Sequence, residues 1–143
     1  MLLGIDSAID RFEVDQGAAY AMRRASQGYF AGLTQRWAPW TLQLNARHDE
    51  VNIDYSAPYE ASSTRRVSAD TGLLGLGYAL NTNWSLNGSV SSGFRAPTAS
   101  EVSKNPGLSP ETHHSSEVGA TYSANDLLLR VVHFDTRTQD AIV

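Results

Sequence analysis

Residues 71–81 read TGLLGLGYALN, and the large apolar side chains fall on alternate positions. Leu74, Leu76, Tyr78 and Leu80 share one parity. Leu73, Gly75, Gly77 and Ala79 share the other, so one face is large and apolar and the other is mostly small. A period of two is the signature of a strand with two unlike faces. Two glycines in five residues would also weaken any helix here. Asn81, Thr82 and Asn83 then form a short turn. Beyond it Trp84, Leu86, Val90 and Phe94 oppose Asn87, Ser89, Ser91 and Gly93. The two stretches predict a tight hairpin.

The same design recurs. Residues 28–37 place Tyr29, Ala31, Leu33 and Trp37 on one face, Ala38 and Pro39 turn the chain, and residues 40–51 oppose Leu42, Leu44 and Ala46 to Gln43, Asn45, Arg47 and Asp49. Residues 116–122 set Val118, Ala120 and Tyr122 against Glu117, Gly119 and Thr121. Asn125 and Asp126 turn, and residues 127–136 return with Arg130 on the parity of Leu128, Val132 and Phe134. Leu2 to Val14 is a further strand. The expected order is strand, short turn, strand, long link, with the long links at 15–27, 52–70 and 95–115. A helix of about two turns is expected within residues 18–26.

Two architectures carry such a pattern. One is a soluble antiparallel β domain, such as a β-sandwich binding module, with a core face and a wet face. The other is a piece of a transmembrane β-barrel, whose strands need about nine to eleven residues and alternate lipid-facing with lumen-facing side chains. Composition favours the second. Only 18% of the 143 residues are charged, and the small faces carry Gly, Ser, Asn, Thr and Gln rather than Lys and Glu. Aromatics gather near strand ends at Tyr29, Trp37, Trp40, Tyr78, Trp84, Phe94, Tyr122 and Phe134, as two interfacial girdles would require.

A net charge of -4 with no basic patch argues against a nucleic-acid partner. Without cysteine there is neither a disulfide framework nor a thiolate metal site. No apolar run reaches a membrane helix, and the opening MLLGIDSAIDRFEVD lacks the basic start of a signal peptide. There is no GxSxG elbow, HExxH motif or phosphate loop, so an enzyme is not expected.

The block SSGFRAPTASEVSKNPGLSPETHHSSEVGATY resembles the late barrel of the TonB-dependent outer-membrane receptors. Three runs carry the likeness in order: Gly93, Phe94, Arg95, Ala96 and Pro97; then Asn105, Pro106, Gly107, Leu108, Ser109, Pro110 and Glu111; then Glu117 and Gly119. Within the family the phrases GYALNTNWSLNGSVSSGFRAPT and FDTRTQDAIV look most like the vitamin B12 receptors.

The resemblance implies an all-β antiparallel fold, with about seven strands of a 22-stranded barrel filling residues 1–143. Periplasmic turns would be short and extracellular loops long. The plug domain and TonB box would lie outside this segment. The implied function is TonB-coupled import of a scarce nutrient, cobalamin first, with a ferric-siderophore or haem receptor as the alternative and a passive porin as the rival of another class. The implied partners are outer-membrane lipid, the TonB complex and the transported ligand. Ligand contacts are expected within 54–68 or 98–109.

The prominent residues carry modest expectations. Pro97 restricts Ala96 to extended geometry and ends the strand. Arg95 would either pair with Glu101 or Glu111, tying the loop to the rim, or stand free in water. Residues 105–110 predict consecutive turns. Glu111 and Glu117 are candidates for a lumen-side hydrogen-bond network, Glu117 the better by parity. His113 and His114 are adjacent, so a strand would point them apart, and His48 and His133 stand alone. No intrinsic cofactor is expected. Asp49, Glu50, Asn52 and Asp54 offer oxygen ligands at the edge of a long link, making Asp49 and Asp54 the candidates for loop calcium, which B12 receptors use. The competing reading is a solvated acidic loop.

Overall fold

A computed structural model describes residues 1–14, 20–57, 60–98, 101–102, 105 and 107–142; the side chains of residues 12–14, 20, 57 and 60–63 are not described. The described chain forms one seven-stranded sheet: β1 (Leu2–Val14), β2 (Tyr20–Trp37), β3 (Trp40–Ala57), β4 (Glu60–Ala79), β5 (Trp84–Arg95), β6 (Glu111–Ala124) and β7 (Leu127–Gln139). The strands neighbour one another in chain order, and every pair is antiparallel. No second sheet packs on either face of this one among the described residues, so the β-sandwich expectation is not met.

The turns follow from their residues. Pro39 accepts the Ala79 N–H at 2.9 Å, stitching the first short turn to the end of β4. The Asn81 side-chain oxygen accepts from the backbone N–H groups of Asn83 and Trp84, both at 2.9 Å, which closes the second turn by the local side-chain bonding that asparagine favours. Asn125 adopts a left-handed backbone (φ 50°), which asparagine tolerates better than most residues.

Two expectations fail. Most of the supposed links 15–27 and 52–70 is strand. β2 begins at Tyr20, which removes the helix expected within 18–26 for its described part, and β3 and β4 pair almost without break out to Ala57 and Glu60. The alternation does continue there, in Val51 and Ile53 on β3 and Val67 on β4, but polar residues fill the opposite face and mask the pattern. The third link also shortens, because β6 starts at Glu111 rather than near Ser116.

Cross-strand register assigns the described side chains in the regularly paired parts of the strands to a face. On the apolar face, β2 to β4 hold rungs that run from Trp37–Trp40–Tyr78 through Leu33–Leu44–Leu74 to Tyr29–His48–Asp70. Each strand takes eight steps between the first and last rung, about 26 Å at roughly 3.3 Å per residue. The nine residues per strand fall within the about nine to eleven that a tilted barrel strand needs to cross the hydrocarbon. Leu33, Leu44, Leu74, Leu76, Leu86 and Val90 remain 39–53% exposed, so this face is not packed against protein. Trp40 and Tyr78 rings meet at 4.5 Å, and Trp84 and Tyr122 at 4.9 Å, forming an aromatic row at the short-turn end. From β5 to β7 the polar residues begin earlier along the rungs, at Ser92, Ser116 and His133, as strand tilt in a barrel requires.

Two aromatics depart from the expected girdles. Phe134 pairs with Glu117 and shares the small-residue face with it. Phe94 packs against the buried cluster described below.

Candidate functional site

The long-loop end is where side chains converge. β5 and β4 are paired only from Leu73↔Ser91 to Ala79↔Ser85, whereas β5 stays paired with β6 out to Arg95↔Glu111. The Gly72 N–H reaches the Ser92 hydroxyl at 3.0 Å where the two strands diverge. Residues 96–110 begin in the opening this leaves. Ala96, Pro97 and Val102 are buried, and Ala96 and Val102 pack with Val51 and Ile53 of β3. Val51, Ile53 and Val67 extend the small-residue face, so the segment lies against that face.

Its start is locked by reciprocal bonds. The Glu101 carboxylate accepts the Thr98 N–H at 2.7 Å, and the Thr98 hydroxyl accepts the Glu101 N–H at 3.3 Å. This Thr-x-x-Glu pair is a capping box. One helical turn follows it, in which the Val102 N–H bonds the Thr98 carbonyl and the Asn105 N–H bonds the Glu101 carbonyl, both at 3.0 Å. Arg95 adds two contacts of 3.2 Å to the Glu101 oxygens. The Thr98 N–H above all, then the Thr98 hydroxyl and Arg95, hold the Glu101 pKa below its ordinary value. Asn105 and Gly107 make a further turn, with the Asn105 side-chain oxygen accepting the Gly107 N–H at 3.0 Å. Arg65 of β4 donates to the Leu108 carbonyl.

The expected residues separate into those brought together and those left apart. Arg95 meets both of its candidate partners, Glu101 at 3.2 Å and Glu111 at 3.6 Å. Glu111 also accepts the Ile142 N–H at 3.1 Å and lies 3.2 Å from His113. Glu117 has the expected parity, on the rung of Ser89 and Phe134, yet it is exposed and its side chain makes no hydrogen bond among the described residues. The network expected of Glu117 is therefore built on Glu111. Gly119 is buried because the Asn87 side chain lies across it; a methyl there would sit 3.0 Å from the Val131 carbonyl and 3.1 Å from the Asn87 oxygen. Gly93 is roomier, its nearest such neighbour being His113 at 4.0 Å. Pro110 is half-buried, and Pro106 lies outside the described residues.

Asp49 and Asp54 do not converge. Five residues apart on β3, they point to opposite faces. Asp49 is engaged by Arg47 at 2.6 Å, and Asp54 accepts from the Thr64 hydroxyl at 2.9 Å. No group of three metal-ligating side chains occurs among the described residues.

Sequence reading missed three features. The Thr98-x-x-Glu101 spacing was a legible helix-start signal. The Asp6–Arg47–Asp49 cluster was not, since Asp6 reaches Arg47 across 41 positions, at 2.7 Å. Nor was the contact of Arg65 with Leu108, 43 positions away. The Arg47 guanidinium sits over Gly28, where any methyl would overlap it.

A family model described as "TonB dependent receptor-like, beta-barrel" matches residues 5–143. Among solved structures the chain is similar to the closed form of the ferric-catecholate import receptor Fiu from E. coli K12 (TM-score 0.71, 16% identity, 85% of this chain and 22% of that one). It is similar to the ferric yersiniabactin uptake receptor FyuA from Yersinia pestis (TM-score 0.68, 19% identity, 96% and 24%). It is also similar to the copper transporter OprC (TM-score 0.70, 14% identity, 97% and 27%). The chain thus spans about a quarter of the length of these structures or somewhat less. No curated protein sequence matches.

Proposed function

Because the chain belongs to the TonB-dependent receptor β-barrel family, we propose that it supplies part of the wall and outer loops of an outer-membrane importer for a chelated metal, an iron–siderophore complex first. The observation that carries this reading is the family match over residues 5–143, joined to a sheet whose exposed apolar band is nine residues long on each of β2 to β4, the length of a transmembrane strand. The structural relatives named for ferric catecholate, ferric yersiniabactin and copper support metal chelates as the ligand class. Haem falls within that class.

Cobalamin is set aside. The phrases that favoured it, GYALNTNWSLNGSV and FDTRTQDAIV, fall mainly in the β4–β5 hairpin and in β7. Wall strands answer to lipid and lumen, so they discriminate ligands poorly.

In this reading the short turns at 38–39, 81–83 and 125–126 face the periplasm, and residues 96–110 with the β3–β4 hairpin face outward. The apolar band meets lipid, and the face bearing Asn45, Gln43, Asn87 and Ser89 lines the lumen. The outer elements capture the chelate. A plug driven by the TonB complex then admits it. The role is transport, with no bond made or broken in the ligand.

Uptake assays on cells carrying or lacking the complete receptor test this. Radiolabelled iron given as a catecholate chelate, a hydroxamate chelate or haem, labelled copper, and labelled cobalamin are compared with and without a proton uncoupler. Receptor-dependent, uncoupler-sensitive uptake of an iron or copper probe is expected. Uptake of cobalamin alone would reinstate the vitamin reading, and uptake indifferent to the uncoupler would point to a passive channel.

A further inference from the structure

We propose that the lumen face of β7 is a dry seat for a protein domain held inside the barrel, while the lumen face of β5 stays wet. The proposal rests on the importer reading above.

The inner face of a water-filled barrel is polar. β5 follows that rule, with Ser85, Asn87, Ser89 and Ser91 on its lumen-facing positions. β7 does not. Leu128, Val132 and Phe134 occupy the same face, on rungs that cross β6 at Ser123, Gly119 and Glu117. Leu128 and Phe134 are each 68% exposed. Phe30 shows how an aromatic is accommodated elsewhere on this face: its ring lies across Gly4 and is half-buried. Phe134 has Glu117 opposite it and no glycine to lie on. Lipid does not serve these side chains, because Leu127, Leu129 and Val131 already present the other face of β7 to it. A further strand paired to β7 would stand beside them in the wall and leave their tips directed inward. An exposed apolar column so placed marks a contact surface.

Its length and charges define the partner. From Leu128 to Phe134 the column takes six steps, about 20 Å, which suits a secondary-structure element better than a small chelate. Arg130 lies between Leu128 and Val132, and Glu117 lies beside Phe134. Both are exposed, and neither side chain has a hydrogen bond or ion pair among the described residues. The fitting occupant is a folded protein surface with an apolar ridge, a carboxylate placed for Arg130 and a cation placed for Glu117. The chain spans about a quarter or less of the receptors it is similar to, which leaves length for such a domain, the plug, in the same polypeptide.

The test uses the complete receptor in outer-membrane vesicles without ligand. Phe134→Cys, Leu128→Cys and Ser91→Cys are each labelled with a small water-soluble maleimide. On a bare wall the first two would react faster, since Ser91 is the less exposed position. The seat predicts the reverse, with both at least about tenfold slower than Ser91→Cys, as for side chains reached only when the contact opens. Arg130→Glu should speed labelling of Phe134→Cys, and Arg130→Lys should leave it slow. In planar bilayers the unmutated receptor should be closed to ions, Phe134→Asp should conduct, and Phe134→Leu should stay closed. Heat-modifiable migration confirms that each variant barrel is assembled. Labelling of Phe134→Cys at or above the Ser91→Cys rate, in a receptor that is closed and imports its ligand, overturns the seat alone. Protection that appears only with an iron-loaded tris-catecholate probe also overturns it, by assigning the strip to the chelate. An unmutated receptor that conducts freely, with Phe134→Cys unprotected, would overturn the importer reading as well.

Discussion

At the scale of single residues, Glu101 sets a pH dependence whose sign is fixed by its surroundings. Its pKa lies below the ordinary 4.5 in the folded state. A lowered carboxylate pKa stabilises the folded state at pH above the unfolded value and stops doing so as pH falls through the folded one. Docking of the helical turn should hold steady from neutral pH to about pH 5 and loosen below about 4.5, read as mobility of a spin label at exposed Ser109. In Glu101→Gln the turn should be looser at neutral pH and show a weaker acid response. An acid response as large as that of the unmutated protein would remove Glu101 as its source. Glycines give a second contrast. Gly119→Ala forces a methyl against the Val131 carbonyl and Asn87, and overpacking of this kind costs about 1–3 kcal/mol. Gly93→Ala meets nothing closer than 4.0 Å and should unfold at nearly the original temperature. At this scale the sequence revealed the strand-ending Pro97 and the eligible partners of Arg95. It did not reveal that Glu111 rather than Glu117 gathers the bonds, because that choice depends on where the chain returns at Ile142, 31 residues later.

At the scale of elements, legibility followed local periodicity. The β4–β5 hairpin was plain because Leu74, Leu76 and Leu86 alternate with small residues. The outer halves of β2, β3 and β4 were not, because above the Tyr29–His48–Asp70 rung the outward face turns polar and the opposite face keeps only a few apolar residues, Val51, Ile53 and Val67 among them. His48 pairs with Asp70 at 2.7 Å and Glu50 with Arg66 there, so on the outward face ion pairs and ladder hydrogen bonds replace the greasy side chains. β7 misleads in another way: Leu128, Val132 and Phe134 share the lumen-side face with Arg130, so both of its faces are partly apolar. The rungs make a depth prediction. Leu44 lies four steps from both Trp40 and His48, at the middle of the band. Leu44→Arg should destabilise the membrane-inserted barrel by about 2–4 kcal/mol, the cost of a cation at the midplane of a lipid-facing wall. His48→Arg, at the rim of the band, should cost about 0–1 kcal/mol. Asn45→Arg, which points to the lumen, should cost little. Equal losses at all three positions in denaturant titrations of the complete barrel would mean that the apolar face does not meet lipid.

At the scale of the whole molecule, strand parity decides what these residues can be. Seven antiparallel neighbours in chain order leave β1 and β7 running in the same direction. Joining them would make one parallel seam in an otherwise antiparallel sheet, whereas closed bacterial barrels keep even counts. Left open, the sheet has two edges, and a membrane span of about nine residues exposes roughly four N–H and four C=O groups on each. Every such group in hydrocarbon costs several kcal/mol, a total on the order of tens. A typical domain has only about 5–15 kcal/mol of net stability to set against that. The described strands are therefore expected to need further strands on both β1 and β7, as a larger receptor barrel would provide. Residues 1–143 produced alone and refolded in detergent micelles should be β-rich by circular dichroism yet form polydisperse oligomers through their edges, with no heat-modifiable monomer on gels. Proteolysis should then find the β1 and β7 edges less protected than they are in the complete receptor. A monodisperse, heat-modifiable species of 15.5 kDa would show that the seven strands close on themselves. The assignment of their two faces to lipid and lumen of a wide barrel would then have to be abandoned, and with it the space that a plug and a chelate require.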